Sequence, residues 1–242
     1  MSDADRRRPL RVGHKGAAHL ATGNTIASFD AALAAGVDMI EFDVLCEHAR
    51  GAGRLMVAHD YEDLLRRPTA ITFEQALAHL AGPEFSGVRL DVDVKLPSYE
   101  LRVVAALREH GLIERTIVSG MFAEALDEIR DAEPALALGW SVPRVRRDYT
   151  TDMLTAIPAL AILTGYRAML PRRARQALGE GRFDAIMAHW RVVTPALLRA
   201  VRDGGGELYV WTVDDARAIQ RLTALGVDGI ITNDPRLFDA AQ

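Results

Sequence analysis

The chain reads as an α/β protein of the (β/α)8 TIM-barrel class, and three observations lead there. Eight short β-like runs are spaced along the sequence, helical patterns fill most gaps between them, and charged residues gather where the runs end. Barrels of this kind commonly reach the length of this chain as one domain.

The first run, Leu10 to His14, leads into Lys15-Gly16 and then a helical pattern over Thr25 to Ala35 that stops at Gly36. In the second, Val37 to Val44, Glu41 and Asp43 are two apart and share one face, while Ile40, Phe42 and Val44 share the other. Beyond it, Gly51 and Gly53 predict a hairpin whose returning strand, MVAHD, carries His59 back beside Glu41 and Asp43 as an addition to the eight. The third run, Val88 to Val94, alternates in the same way, with Asp91, Asp93 and Lys95 on one face and Leu90, Val92 and Val94 on the other.

Further runs follow at Thr116 to Ser119, Leu136 to Trp140, Ala185 to Ala188, Leu208 to Thr212 and Gly229 to Thr232. Helical patterns cover Tyr99 to Glu109, Ala123 to Ala132, Pro195 to Asp203 and Ala216 to Leu225, with Gly111, Gly204 and Gly226 placed as C-terminal caps. An apolar run at Ala159 to Thr164 competes with Ala185 to Ala188 for a place in the barrel. No internal repeat or Pro/Gly/Ser linker divides the chain, so residues 1–242 are expected to form one domain.

Polar alternation alone also describes a half-exposed antiparallel strand. Helices between the strands decide against that, because parallel strands are covered by helices outside and their charged face must then turn towards an interior site. Barrel sites lie at the C-terminal ends of the strands, where His14, Glu41, Asp43, Asp93 and Lys95 all fall.

A net charge of −4 argues against a nucleic-acid partner, and Arg6-Arg7-Arg8 is read as a solvated tail. The single cysteine, Cys46, rules out an intrachain disulfide and a cysteine-based zinc site. No apolar run reaches the roughly 18 residues of a membrane helix, and the N-terminus lacks the apolar core of a secretory signal. A cytoplasmic protein with a small-molecule partner and no stable membrane insertion is expected; oligomeric state is not readable.

Glu41, Asp43 and Asp93 form an oxygen-rich set suited to Mg2+ or Ca2+. Without a cation, three close carboxylates push at least one towards protonation; the alternative is a buried ion-pair network with Lys15, Lys95 and a nearby arginine. His14 and His59 carry imidazoles suited to proton transfer near neutrality. Among the other histidines only His189, near a strand end, is a pocket candidate.

Taken in order, HKGAAHLATGNTIASF, EFDV, VAHD, DVK and WTVDD…GVDGIITNDP resemble the serial motifs of the glycerophosphodiester phosphodiesterase family, within the phospholipase C-like phosphodiesterase barrels. The resemblance runs from about Arg11 to Pro235 and is vaguest over residues 150–182. It implies hydrolysis of a glycerophosphodiester to glycerol 3-phosphate and an alcohol. It further implies a divalent metal on Glu41, Asp43 and Asp93, an acid/base pair in His14 and His59, phosphate contacts from Lys95 and Lys15, and Trp211 in the pocket lining.

Four departures qualify the match. Lys15 stands for the family's arginine, Gly23 for the glutamate of E-N-T, and Asp93 for the glutamate of E-x-K; the first two are read as coupled. The fourth is a short interval: His59 to Asp93 spans 93 − 59 = 34 positions, which leaves a reduced cap insertion and a wider pocket. That shortening, with Asp93, also resembles sphingomyelinase D-like phosphodiesterases, so a lysophospholipase D-like enzyme on a bulkier lipid is the alternative substrate class. A degenerate barrel that binds a phosphorylated ligand without turnover is the non-enzymatic alternative.

Overall fold

A computed structural model describes residues 8–67, 69–144 and 156–241. Its strands are β1 (Leu10–Gly13), β2 (Met39–His48), β3 (Ala52–Met56), β4 (Arg89–Val94), β5 (Thr116–Gly120), β6 (Ala137–Val142), β7 (Ala185–His189), β8 (Glu207–Trp211) and β9 (Gly229–Thr232). They form one sheet in the order β1-β9-β8-β7-β6-β5-β4-β2-β3, and a further β1–β2 pairing closes it. Eight strands run parallel around the barrel, while β3 pairs antiparallel with the extension of β2 through Leu45↔Met56 and Cys46↔Leu55. The extra hairpin strand therefore stands on the wall rather than in it.

The helices are α1 (Ile26–Ala34), α2 (Tyr61–Arg66), α3 (Phe73–Leu80), α4 (Glu100–Glu109), α5 (Ala123–Ala132), α6 (Ala156–Gly179), α7 (Pro195–Asp203), α8 (Ala216–Leu225) and α9 (Leu237–Ala240). Two helices that the sequence pattern did not predict, α2 and α3, lie between β2 and β4, and α3 is the one packed on the barrel wall. Thr72 caps its N-terminus, in a reciprocal box with Gln75. Phe73, Ala76, Leu77 and Leu80 are buried, the i, i+3, i+4, i+7 stripe of a helix packed on a barrel wall.

The apolar run at Ala159 to Thr164 lies inside α6, so the barrel place belongs to β7. Periodicity alone cannot separate a short apolar run in a helix from a strand. Gly204 is the C-cap of α7, as expected, but stays right-handed at φ −82°, and Gly205 takes the positive φ of 83° that lets the chain turn back into β8. Arg6 and Arg7 lie outside the described residues, whereas Arg8 forms a two-pronged pair with Asp38 at 2.6 and 2.8 Å.

Alternation divides the interior in two. Ile40, Phe42, Val44, Leu90 and Val92 point outwards and pack against the helices in the larger core. Val12, Met39, Ile117, Ala185, Met187, Tyr209 and Ile231 point inwards and fill the barrel. Following each inward row towards the C-terminal rim leads to His14, Glu41, Asp43, Asp93, Ser141, His189 and Trp211. The fold thus gathers the chain's polar chemistry above an apolar plug. No described helix is long and apolar enough to cross a membrane.

Candidate active site

The first rim turn is built for close approach. His14 N donates to Thr232 O at 2.8 Å, and Lys15 N donates to Glu41 Oε2 at 2.7 Å. Lys15 occupies the left-handed region at φ 53°, followed by Gly16 at φ 83°; a Cβ on Gly16 would fall 2.6 Å from the Ser28 carbonyl oxygen. Only glycine fits that second position. Ser28 Oγ donates back to Lys15 O at 2.8 Å, so the capping box of α1 also anchors the turn.

Asn24, buried at φ 60°, holds the second strand. Its Nδ2 donates to Asp43 Oδ2 at 2.8 Å, and its Oδ1 accepts from Asp43 N at 3.1 Å. The reciprocal pair fixes the carboxylate's rotamer.

Register then assembles the carboxylates. On adjacent β2 and β4, Glu41 lies level with Asp91 and Asp43 with Asp93. Glu41, Asp43 and Asp93 each offer an oxygen, all within 4.8 Å of one another. Burial foremost, then Asp43, Asp91 and Asp93, push the Glu41 pKa well above the usual carboxylate range. Burial also opposes ionisation of Asp43, but Lys95 and then Lys15 outweigh it and hold that pKa below its ordinary value. Lys95 Nζ sits 3.0 Å from Asp43 Oδ1 and 2.9 Å from Asp93 Oδ2, and Lys15 Nζ 3.6 Å from Asp43 Oδ2. Burial would lower the Lys95 pKa; Asp43 and Asp93 raise it further than that.

These residues fit a divalent cation. Asp43 Oδ1 is buried and receives no aligned hydrogen bond despite the ammonium 3.0 Å away, and the donor set is all oxygen. The lysine part of the ion-pair network anticipated as the alternative is also present, with Lys95 on Asp43 and Asp93 and Lys15 on Asp43. The two arrangements share Asp43, so a cation would compete with or displace the ammonium groups.

His14 and His59 differ in setting. His14 Nδ1 lies 2.7 Å from Asn233 Oδ1, and Nε2 lies 3.8 Å from Glu41 Oε2. Burial foremost, then the Lys15 charge, push its pKa down to about 4, so at neutral pH the Glu41 contact is not an ion pair. His59 returns to the rim on the far side of the hairpin, with its side chain 45% exposed and Nδ1 2.9 Å from Asp60 Oδ2. It touches none of the three carboxylates. Asp63 holds its backbone by accepting from His59 N at 3.1 Å, and Arg67 joins Asp63 to the Val57 and Asn24 carbonyl oxygens.

Across the rim, Trp211 Nε1 donates to Met187 O at 2.8 Å, and the His189 ring meets the indole edge-on at 5.0 Å. The indole therefore presents a ring face rather than its N–H. The sequence reading did not single out Asn24, Asn233, Asp214 or Arg67; the signal for the two asparagines was their place beside strand ends, in GNT and TNDP.

Gly23 lies under the Lys15 stem. A Cβ at position 23 would fall 3.0 Å from Lys15 Cβ and 3.1 Å from Ala18 Cβ, so a side chain there would require Lys15 or Ala18 to give by a few tenths of an ångström. The two departures are therefore neighbours in space.

The closed parallel barrel thus carries an acidic cluster on its C-terminal rim. Residues 14–72 and, separately, 207–236 match sequence models of the glycerophosphoryl diester phosphodiesterase family. The chain is similar to that family over these two segments. It is 25% identical to a glycerophosphodiester phosphodiesterase of Caldanaerobacter subterraneus subsp. tengcongensis, with 93% of this chain and 94% of the relative covered. The fold is shared with a glycerophosphodiester phosphodiesterase from Parabacteroides distasonis, at a TM-score of 0.72 and 20% identity, covering 98% of this chain and 100% of the other. It is shared too with a phosphodiesterase of Oleispira antarctica in complex with the product sn-glycerol-3-phosphate, at TM-score 0.70 and 16% identity, covering 97% and 96%.

Proposed function

We propose that this protein hydrolyses glycerophosphodiesters to glycerol 3-phosphate and an alcohol, with a divalent cation on Glu41, Asp43 and Asp93 and with His14 and His59 moving the protons. The observation that carries the reading is the convergence of three carboxylate oxygens within 4.8 Å of one another, on the rim that also holds His14. The product complex of the Oleispira relative supports the substrate class.

When bound, Mg2+ or Ca2+ would supply charge that polarises the phosphoryl oxygens and offsets negative charge in the transition state. The remaining work belongs to the chain. His14, neutral at pH 7, accepts a proton from the attacking water at Nε2 as the new O–P bond forms. His59, on the hairpin side, gives a proton to the departing alkoxide oxygen as the old P–O bond breaks. Lys15 and Lys95, already aimed at the cluster, bind the phosphate oxygens as point charges. Trp211 lines the pocket across the rim. We take residues 1–242 as one barrel domain in the cytoplasm, a reducing compartment that one buried thiol permits.

The test is hydrolysis of a panel of glycerophosphodiesters, lysophospholipids and cyclic phosphates after chelation and with Mg2+ or Ca2+ restored. Activity lost on chelation, regained with the cation and abolished in His14→Ala is expected. Full activity in excess chelator would remove the cation from the reading, and failure to cleave any diester would favour a binding barrel.

A bulkier lipid diester has one specific observation in its favour. The six residues of α2 follow the hairpin strand directly, and Leu65 on that helix is 84% exposed. Preference for lysophospholipids over glycerophosphocholine in the same panel would select it.

A further inference from the structure

We propose that Asn233 and Asp214 are positioning residues that hold His14 in one tautomer, with the proton on Nδ1 and the lone pair of Nε2 facing the carboxylate cluster. The inference rests on reading His14 as the proton acceptor, and its first test needs no turnover.

Asn233 follows the last residue of β9, and its Oδ1 lies 2.7 Å from His14 Nδ1. An asparagine amide can face an imidazole in two ways. With its oxygen forward it accepts from Nδ1–H; with its nitrogen forward it donates to a bare Nδ1 and selects the opposite tautomer. The partner on the far side of the amide decides between them.

That partner is Asp214, in the loop between β8 and α8. Its Oδ2 lies 2.6 Å from Asn233 Nδ2, its Oδ1 accepts from Asn233 N at 2.8 Å, and Thr232 Oγ1 donates to the same oxygen at 2.9 Å. A carboxylate only accepts, so the amide nitrogen must face Asp214 and the amide oxygen must face His14. Nδ1 then has to be the protonated nitrogen, which leaves Nε2, 3.8 Å from Glu41 Oε2, as the acceptor.

The backbone repeats the arrangement, since His14 N donates to Thr232 O at 2.8 Å. Main chain and ring are therefore both tied to the end of β9. The group touching the imidazole is a neutral amide, which orients the ring and keeps the Asp214 charge one residue away. A carboxylate acting on a histidine through an intervening amide differs from direct carboxylate contact, and the sequence does not announce it: Asp214 and His14 are joined only through closure of β1 onto β9.

The experiment is a two-bond 1H–15N spectrum of the histidine rings in the whole protein at neutral pH, with His14→Ala assigning the signal. The wild type should show His14 protonated at Nδ1, and Asn233→Ala and Asp214→Ala should both shift population towards the Nε2–H form. A wild-type ring protonated at Nε2, or a tautomer unmoved in both variants, would overturn the proposal. Asn233→Ala keeps the Asp214–Thr232 bond and so remains informative if Asp214→Ala fails to fold.

Kinetics give the second arm. Each variant should lower kcat about 10- to 100-fold, the scale of losing a histidine's orienting partner, with KM within about threefold. The double variant should be no slower than Asn233→Ala, because Asp214 acts through Asn233; independent, multiplying losses would overturn the chain of action. If no diester is cleaved while the tautomer shifts as expected, the functional reading fails and the positioning assignment stands.

Discussion

The two halves of the barrel rim are made from the same strand periodicity and carry opposite chemistry. From β1 to β4 the inward positions hold His14, Glu41, Asp43 and Asp93, with Lys15 and Lys95 beside them; from β6 to β8 they hold Ser141, His189 and Trp211. The charged half is paired internally, lysine on carboxylate, while the other presents an indole held by its N–H against Met187 O. In the proposed reading, bond-making chemistry belongs to the charged half, and the other half adds an aromatic wall to the substrate pocket. A barrel permits this separation because each strand delivers its rim residue independently of the rest.

The strongest way to break that division is to remove charge from the first half. Asp43→Asn keeps an oxygen and a nitrogen near Asn24 but takes the anion away from the cluster, so cation affinity should fall by about 100-fold or more and hydrolysis with it, without loss of the folded barrel. Isothermal titration with Mg2+ and Ca2+, beside a thermal melt, measures both. Unchanged affinity would take Asp43 out of the ligand set and leave the ion-pair network as its role.

Next in size is the histidine. His14→Ala should cost about 10²- to 10⁴-fold in kcat while cation binding persists, because the imidazole is a proton carrier in this reading. Loss of cation binding in that variant would place His14 among the ligands and merge two functions that the geometry keeps apart.

The same division explains what could be read from the sequence. In LDVDVK and IEFDV, alternation placed each carboxylate on the inward face before any fold was known, because a strand's period fixes side-chain direction. The outward Ile40, Phe42, Leu90 and Val92 marked the face for helices. By contrast, α3 went unread because FEQALAHL is short, and the run at Ala159 to Thr164 stayed ambiguous because apolar content does not choose between helix and strand. Asn233 was illegible for a different reason. It stands 219 positions from His14, and only barrel closure makes the two neighbours. Local pattern gives direction; partners across the closure need the fold.

A smaller effect is expected on the recognition side. Trp211→Phe removes the indole N–H to Met187 O but keeps a ring face, so KM for the substrate should rise by about fivefold, near 1 kcal/mol, with kcat within about threefold. Steady-state kinetics on two diesters of different alcohol size would show it. An equal fall in kcat with KM unchanged would move Trp211 to the chemical half and blur the division.

The last prediction lies beneath both halves and concerns stability. Asp91 is level with Glu41, is 1% exposed, and has an Oδ1 with no hydrogen-bond partner. Burial foremost pushes its pKa from 3.8 up to about 8, against the opposing hydrogen bond from Ser119. The unfolded chain therefore releases this proton at lower pH than the folded one. Between those values the unfolded state binds fewer protons, so stability falls as pH rises, by at most about 1.4 kcal/mol per pH unit from this one group, and levels off above about 8. Asp91→Asn deletes that contribution while nearly preserving shape, so urea unfolding across pH should show the variant gaining on the parent from mildly acidic to neutral pH and then holding its lead. Curves that stay parallel would mean that Asp91 is ionised inside the fold and belongs to the charged half after all.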